Sequence, residues 1–262
     1  KSLTGNSAIV DIIPKQYILS NGEIYAEAPL GANSTSITLD AMVYCLPNDN
    51  VQDYQNTLIN GGMNVRRTLI APYAATHLIA SEPDMPSDYF LVDIGSDYTT
   101  VSLVGNCDIY ASRFNKWGSD NITERIVENF NINSAEAEKI KITYGIDKRQ
   151  MNFKAPVCRT DDGEGNEIKH YAEELNEITK GELDDFIRSL RSAIDDLLAP
   201  YDSSYKTIPM LLSGGGSRLS GLVEYLTPKV DSEVVQLVMP RALGARNPTF
   251  TNCLGMILAN AK

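Results

Sequence analysis

Two glycine-containing turns are the stretches of this sequence whose residue types suit a chemical task. The first turn, Asp93-Ile94-Gly95, ends an apolar segment and runs into a stretch rich in hydroxyl groups. Backbone N–H groups exposed by such a turn can bind a phosphate, and glycine lets the chain approach it closely. Asp93 can hold a magnesium ion through water, because Mg²⁺ usually keeps several of its waters. Taken alone, the stretch is more typical of a plain hairpin in which Asp93 is a turn residue. The candidate ligands here are Asp93, Gly95, Ser96, Asp97, Tyr98 and Thr99.

The second turn follows an apolar segment, Ile208–Leu212, and holds three consecutive glycines, Gly214, Gly215 and Gly216, before Ser217. Glycines at a strand-to-helix turn leave no Cβ to block a flat ring or a phosphate. The apolar spacing of Leu219–Leu226 predicts a helix directly after the turn, and its N-terminus would add positive potential. The stretch is not a P-loop, because no lysine follows, and it lacks the third glycine of a dinucleotide-binding fingerprint.

The strands and helices that must position these turns can be read from periodicity and turn signals. Three strands are predicted around the first turn, with a tight hairpin at Gly105-Asn106. Lys180–Leu198 is predicted as a strongly amphipathic helix, preceded by a polar stretch from Arg149 that contains a hairpin. The predicted strands are Phe90–Ile94, Thr99–Val104, Cys107–Ser112 and Ser232–Val238.

The N-terminal part, Ala8 to about Ile70, predicts a small α+β module. A strand from Ala8 is expected to stop at Pro14, and a further strand over Ser36–Leu46 precedes a helix that ends near Ile59. Met63–Leu69 is predicted as another strand. No residue set in this part suggests chemistry, so an interaction module is the favoured interpretation.

Composition limits the classes of function. The chain has 262 residues, 43% of them hydrophobic, and a net charge of −11, which argues against nonspecific binding to nucleic acid or to an anionic membrane. Its four cysteines are scattered without zinc-site spacing and are interpreted as free thiols in a reducing cytosol. No apolar run is long enough for a membrane span, and no signal peptide is recognised.

Several motifs, in order along the chain, resemble the FtsA family, the bacterial actin homologues of cell division. Ile9–Tyr17 resembles the start of the family's subdomain 1C, and Ala71–Ala75 resembles "APxAS". Asn133–Gly145 looks like the family's "(S/T)xxEAExIKxxxG" helix, and Asn247–Leu258 looks like its "DPxxxxAxGL" helix. In the resemblance, the two glycine-containing turns take the places of the second phosphate loop and the adenosine loop.

The resemblance implies an α/β, actin-like ATPase (ribonuclease H-like) fold with an inserted small α+β subdomain 1C and without the first part of subdomain 1A. Residues 1–70 would form subdomain 1C, and residues 71–91 with 247–262 the remnant of 1A. Residues 92–118 and 199–246 would form subdomain 2A with the phosphate and adenosine loops. Residues 119–198 would form subdomain 2B.

The resemblance also implies a function. Family members are scaffolds that link FtsZ filaments to the membrane and self-associate through subdomain 1C, and they bind ATP with Mg²⁺. Glu138 and Lys141 would then contact the ribose or base, while Arg188 and Arg191 would meet the C-terminal tail of FtsZ. The expected partners are FtsZ, other division proteins and a second copy of the chain. The expected location is the cytoplasm, at the inner face of the cell membrane at the division site.

The chain departs from the family pattern at several points. Actin-like proteins carry a D-x-G hairpin in each half, but only one is found here, and the C-terminal membrane helix is missing too. Ser96 and Asp97 replace two glycines of the usual loop, and the Asp97 carboxylate near a γ-phosphate should cost affinity unless a cation intervenes. Weak or no ATPase activity is therefore expected.

Two other functions remain open. One is a PilM-like scaffold of type IV pilus assembly, which shares the architecture and recognises a short peptide. The other is a sugar or acetate kinase of the same superfamily, although no constellation for substrate activation stands out.

Overall fold

The computed structural model describes residues 6–146, 152–161, 163–201, 208–232, 234–241 and 246–260. The chain divides into two compact units, Lys1–Ile70 and Ala71–Lys262, called here the small unit and the large unit. Arg149, at which the predicted polar stretch begins, lies outside the described residues.

The small unit is a three-stranded antiparallel sheet with one helix. Its elements are β1 (Ser7–Leu19), β2 (Ile24–Tyr25), β3 (Ile37–Pro47) and α1 (Asn48–Asn60), and the strand order is β2-β1-β3. Among its described apolar side chains, only those of Leu19 and Val51 are buried. The unit therefore has a very small core of its own.

The prediction that Pro14 ends the first strand is wrong. Strand β1 continues to Leu19, and Pro14 pairs with Ala41 of β3, with a register shift before Gln16. Strand β2 pairs with β1 at Tyr17 and Ile18, so at Pro14 β1 has β3 on one side only. A proline is tolerated at such an edge position because it need not donate a ladder hydrogen bond there.

The prediction of a strand over Met63–Leu69 is also wrong, because this segment joins no ladder among the described residues. It approaches β1 through side chains, since the Arg67 guanidinium lies 2.8 Å from the Asp11 carboxylate. A cavity of about 260 Å³ lies between them, lined by Ile9 and Val10 on one side and by Val65–Thr68 on the other.

The large unit is built on a mixed five-stranded sheet with the strand order β10-β9-β4-β5-β6. Strands β10, β9 and β4 are parallel, whereas β4, β5 and β6 form an antiparallel meander. Strands β7 and β8 form a separate hairpin. The elements are α2 (Ala71–Ser81), β4 (Asp88–Ile94), β5 (Thr99–Gly105), β6 (Asp108–Asn115), α3 (Asp120–Phe130), α4 (Ser134–Tyr144), β7 (Pro156–Asp161), β8 (Glu167–Tyr171), α5 (Ala172–Leu198), β9 (Met210–Ser213), α6 (Leu222–Leu226), β10 (Val235–Leu237) and α7 (Thr251–Ala259).

The core of the large unit lies between the sheet and α5. Phe90 and Val92 of β4 are fully buried, and the Phe186 ring of α5 stacks on the Trp117 ring with centroids 4.2 Å apart. Helix α5 begins at Ala172, earlier than the predicted Lys180, because the Glu174 carboxylate accepts a hydrogen bond from the Tyr171 N–H and caps the first turn. The first turns of α5 therefore contact the hairpin formed by β7 and β8.

The predicted helix over Asn133–Gly145 forms as the sequence indicates. The Asn133 side chain caps α4 by accepting from the Glu136 N–H, and Gly145 follows the last turn with a φ of 57°. Gly255 of α7 lies against the backbone of Ala74 in α2, where a Cβ would overlap the Ala74 carbonyl. None of the described helices combines the length and the apolar character needed to span a membrane.

Candidate functional site

Three segments that are far apart in sequence converge on one cavity of about 370 Å³ in the large unit. Ile94 is the last residue of β4 and Ser96 follows it, Glu138 and Ile142 lie on α4, and Gly215 belongs to the glycine turn. The two glycine-containing turns singled out in the sequence therefore share one site with the predicted α4 residues. The apolar lining includes the side chains of Trp117, Ile122, Leu183, Leu219 and Leu222.

The sheet topology explains why the two turns meet. Strands β4 and β9 are parallel neighbours with Asp93 opposite Ser213, so both strands end at the same edge of the sheet. The Ser213 hydroxyl donates to Asp93 Oδ1 at 3.0 Å, and Asn252 Nδ2 of α7 donates to Asp93 Oδ2 at 2.8 Å. Both carboxylate oxygens thus have a donor, which fixes the orientation of Asp93.

The first turn is held by backbone hydrogen bonds to the start of α3. The Gly95 N–H donates to the Tyr98 carbonyl at 2.9 Å, while the Ser119 and Asp120 N–H groups donate to the carbonyls of Gly95 and Ser96, each at 2.9 Å. At Gly118 a Cβ would overlap the Ser96 carbonyl. A glycine is therefore required where α3 approaches the turn.

The remaining side chains of the first turn point to different surroundings. The Thr99 hydroxyl is buried and donates to the Trp117 carbonyl at 2.9 Å, so it serves the fold. The Tyr98 ring lies against the Phe114 ring, with centroids 4.6 Å apart, and Asp97 is exposed. Of the residues predicted in this turn, Ser96 lines the cavity.

The glycines of the second turn differ in the space around them. Gly214 has a φ of 84°, and a Cβ there would overlap the Ile94 carbonyl and lie 2.6 Å from Asp93 Oδ1. At Gly215 a Cβ would meet nothing within 4 Å, which leaves open space beside the cavity. The buried Ser217 hydroxyl donates to the Gly214 carbonyl at 2.7 Å. The turn is thus rigid at Gly214 and Ser217 and open at Gly215.

The predicted helix directly after this turn is not found. The chain forms a short 3₁₀ turn over Gly216–Arg218, and α6 begins only at Leu222, after Gly221 with a φ of 82°. Gly221 adopts a left-handed conformation, which interrupts helical geometry at that point. The expected contribution of a helix N-terminus at the glycine turn is therefore wrong.

Glu138 and Lys141 form a buried polar link between α4 and α3. Lys141 Nζ lies 2.6 Å from Glu138 Oε2, and it donates to Thr123 Oγ1 at 2.8 Å and to the Ser119 carbonyl at 3.0 Å. The Lys141 side chain is only 5% exposed, whereas that of Glu138 is 41% exposed. The buried Lys141 therefore holds α4 against α3, and the more exposed Glu138 carboxylate lies on the cavity wall.

The charge state of Glu138 follows from these contacts. Burial alone would raise the pKa of the Glu138 carboxyl, but hydrogen bonds from Lys141 and Thr123 and the charge of Lys141 outweigh it and hold that pKa below its ordinary value of 4.5. Glu138 is therefore a carboxylate at neutral pH. An ionised carboxylate on a cavity wall can accept hydrogen bonds from ligand hydroxyl groups.

The cavity has the size and the mixed polar and apolar lining of a small-molecule site. Its volume lies within the range typical of small-molecule sites, about 300–1,000 Å³, and the open space beside Gly215 and the Glu138 carboxylate suit a flat ring and hydroxyl groups. For a metal ion the described residues offer less, since no three His, Cys, Asp or Glu side chains among them gather around one position. Asp93 could hold Mg²⁺ only through water.

The cavity lining also includes residues that were not predicted from the sequence, among them Trp117, Asp120, Leu183 and Arg218. Arg218 adjoins the glycine turn, so its position in the sequence could have identified it as a residue of the site. Trp117 and Leu183 carried none, because apolar residues at strand ends and on helix faces usually belong to the core.

Arg188 and Arg191, predicted to meet a partner, are both exposed on α5. Arg188 pairs with the Asp185 carboxylate, and Arg191 Nε donates to the Lys229 carbonyl at 2.9 Å. A second cavity of about 180 Å³ lies beside Arg191 and is also lined by Asp195 and Asp231. The partner role of the two arginines stays a prediction.

Comparison with known families identifies one match within the large unit. The family model described as cell division protein FtsA matches residues 90–255. The cell division protein FtsA of Enterococcus faecalis is 23% identical over 257 residues, which cover 97% of this chain and 57% of that protein. FtsA of Bacillus subtilis is 24% identical over 268 residues, again covering 57% of its length. The chain thus spans little more than half of these relatives.

Solved structures show the same architecture at low sequence identity. A PilM–PilN type IV pilus biogenesis complex superposes with a TM-score of 0.67 and 19% identity, covering 98% of this chain and 67% of the other. MreB5 of Spiroplasma citri bound to ADP superposes with a TM-score of 0.62 and 16% identity, covering 82% of this chain and 66% of the other. The fold is therefore that of the actin-like ATPases.

Proposed function

The chain belongs to the FtsA family of cell division proteins, and we propose that it is part of an actin-like division scaffold that binds ATP in the cavity of the large unit. The observation that carries this proposal is the convergence of Ser96, Glu138 and Gly215 on that cavity. These residues lie in three of the stretches that resemble functional motifs of the family.

In this proposal the two ends of the cavity hold different parts of ATP. The adenosine lies between α4 and the glycine turn, with the ribose hydroxyls donating to the Glu138 carboxylate. The phosphates lie towards Ser96 and the first turn, where Asp93 holds Mg²⁺ through water. A bound Mg²⁺ would offset the negative charge of the phosphates beside the carboxylates of Asp93 and Asp97.

The scaffold role requires partners. We propose that the C-terminal tail of FtsZ docks on the exposed side of α5 at Arg188 and Arg191, because cationic side chains suit an acidic peptide. We propose that the small unit mediates self-association, because its sheet leaves Ile9, Ile12 and Val43 about half exposed. Attachment to the membrane at the division site would be provided by the intact protein.

The FtsZ proposal is tested by titrating a fluorescent peptide from the C-terminal tail of the host's FtsZ with the chain and recording anisotropy. We expect saturable binding that weakens about tenfold or more in Arg188→Glu, since a charge reversal turns attraction into repulsion. Arg113→Glu on β6 is a matched control, because Arg113 is also exposed. Saturation that is equal in all three proteins would contradict docking on α5.

A second candidate is a PilM-like pilus scaffold, favoured by the superposition on the PilM–PilN complex over 98% of this chain. A short peptide from the host's PilN, titrated in the same assay, separates the two proposals. Binding of the PilN peptide without binding of the FtsZ peptide would favour the pilus scaffold.

A further inference from the structure

We propose that Arg218 forms one jaw of a clamp that stacks on the base of the bound nucleotide, with Ile142 as the opposite jaw. This inference rests on the proposed binding of a nucleotide in the large unit. It assigns to Arg218 the task of holding a planar purine by its face, rather than that of attracting phosphate charge.

The two jaws are carried by elements that are joined just beyond them. The Ile146 N–H, after the end of α4, donates to the Ser220 carbonyl at 2.7 Å. Gly145 has a φ of 57°, and a Cβ there would lie 2.5 Å from the same Ser220 oxygen. Because this contact admits no larger residue, the separation between the end of α4 and the turn that carries Arg218 is fixed.

The side chains of Ile142 and Arg218 do not contribute to the packing of the described fold. Ile142 is 67% exposed, and Arg218 is also exposed, yet both line the cavity. Among the described residues, the Arg218 guanidinium has no hydrogen-bond or ion-pair partner. Lys141, the other cation of the cavity, is instead satisfied by Glu138, Thr123 and Ser119.

The chemistry of the two jaws suits a flat, electron-rich ring. A guanidinium is planar and weakly hydrated, and it stacks on aromatic faces. The Ile142 side chain offers an apolar surface to the other face of the ring, and Leu219 and Leu222 continue that apolar lining. With the base between Arg218 and Ile142, the ribose lies beside Glu138 and the phosphates point towards Ser96.

A stacking role and a charge role for Arg218 predict different results with ligands that lack phosphate. If Arg218 stacks on the base, its removal lowers the affinity for adenosine and for Mg-ATP by the same factor. If Arg218 attracts the phosphates, its removal lowers the affinity for ATP only. Arg218→Lys separates the roles further, because lysine keeps the charge but lacks the planar group.

The experiment is a titration of the 262-residue chain with adenosine and, separately, with Mg-ATP. Binding is measured by saturation-transfer NMR, which detects weak binding. In Arg218→Ala we expect both dissociation constants to rise about tenfold, and in Arg218→Lys we expect most of that loss for both ligands. Arg113→Ala is the control, since Arg113 is exposed and lies outside the cavity lining. Its dissociation constants should equal those of the parent.

Each of the other outcomes contradicts either the clamp or the proposed nucleotide binding. Unchanged affinity for adenosine in Arg218→Ala, with weaker ATP binding or without it, overturns the clamp and leaves the proposed nucleotide binding intact. Binding of ATP by the parent without measurable binding of adenosine does the same. A parent chain that binds neither ligand overturns the nucleotide proposal together with the clamp. The thermal midpoint of Arg218→Ala should match that of the parent, because the side chain has no internal partner.

Discussion

The small unit and the large unit differ in how much of their apolar surface they bury. In the small unit, Leu19 and Val51 are the buried apolar side chains of the described residues, whereas Ile12 and Val43, which pair directly across β1 and β3, are about half exposed. In the large unit, β4, β5, β9 and α5 bury side chains completely. The packing of the large unit therefore holds the cavity residues in place, while the small unit leaves an apolar surface exposed.

This difference has a physical consequence for each unit. A cavity wall made of glycine contacts and buried hydrogen bonds keeps its shape, because displacing any one group disturbs densely packed neighbours. A sheet with exposed apolar side chains gains free energy when another surface covers it. Ligand binding is accordingly assigned to the large unit and self-association to the small unit.

The largest expected effect is a core truncation in one unit compared with the same kind of truncation in the other. Phe186→Ala removes a fully buried ring that stacks on Trp117, so the free energy of unfolding should fall by about 3–5 kcal/mol. Ile12→Ala removes a half-exposed side chain and should change it by no more than about 0.5 kcal/mol. Urea denaturation is followed by the fluorescence of Trp117 for the large unit and by circular dichroism for the whole chain. A cost for Ile12→Ala that approaches the cost for Phe186→Ala would contradict the comparison.

A smaller effect distinguishes two glycines inside helices of the large unit. Gly181→Ala in α5 meets nothing within 4 Å, so the better helix propensity of alanine should stabilise the protein by up to about 1 kcal/mol. Gly255→Ala in α7 places a Cβ on the Ala74 carbonyl and should destabilise it by about 1–3 kcal/mol. Thermal or urea unfolding measures both, and a Gly255→Ala variant at least as stable as the parent would show that α7 and α2 are not in close contact.

The smallest effect concerns the ion pair behind the cavity. Glu138→Gln removes the carboxylate that faces the buried Lys141 ammonium, and at neutral pH it should cost about 1 kcal/mol, a figure kept low because Glu138 is more than a third exposed. The folded pKa of Glu138 lies below 4.5, so the stabilising contribution is complete above that value and is lost as the pH falls through the folded pKa. The difference between parent and variant should therefore shrink below about pH 4.5. A difference that grows on acidification would exclude this ion pair as its cause.

Local signals predicted much of the large unit. The turn Asp93–Gly95, the hairpin at Gly105 and the helix between Asn133 and Gly145 depend on residues with strong positional preferences, and each is found within a few residues of its predicted place. The family resemblance supplied the order in which these elements are joined.

Tertiary context explains what the sequence did not reveal. Pro14 is accepted inside β1 because only one side of the strand is paired there, and Gly221 divides what looked like one helix. The partners of Lys141 were not indicated by its pattern on α4 either, because only the position of α3 provides Thr123 and the Ser119 carbonyl. No local pattern reports which distant groups a side chain meets.

Amide hydrogen exchange with and without Mg-ATP is the measurement that tests nucleotide binding in the large unit most directly. We expect slower exchange in three separate peptides, those containing Ser96, Ile142 and Gly215, and unchanged exchange in the small unit, including β1. The same protection with adenosine is expected for Ile142 and Gly215 but not for Ser96. Protection that is absent from all three peptides, or that appears in the small unit instead, would contradict the assignment.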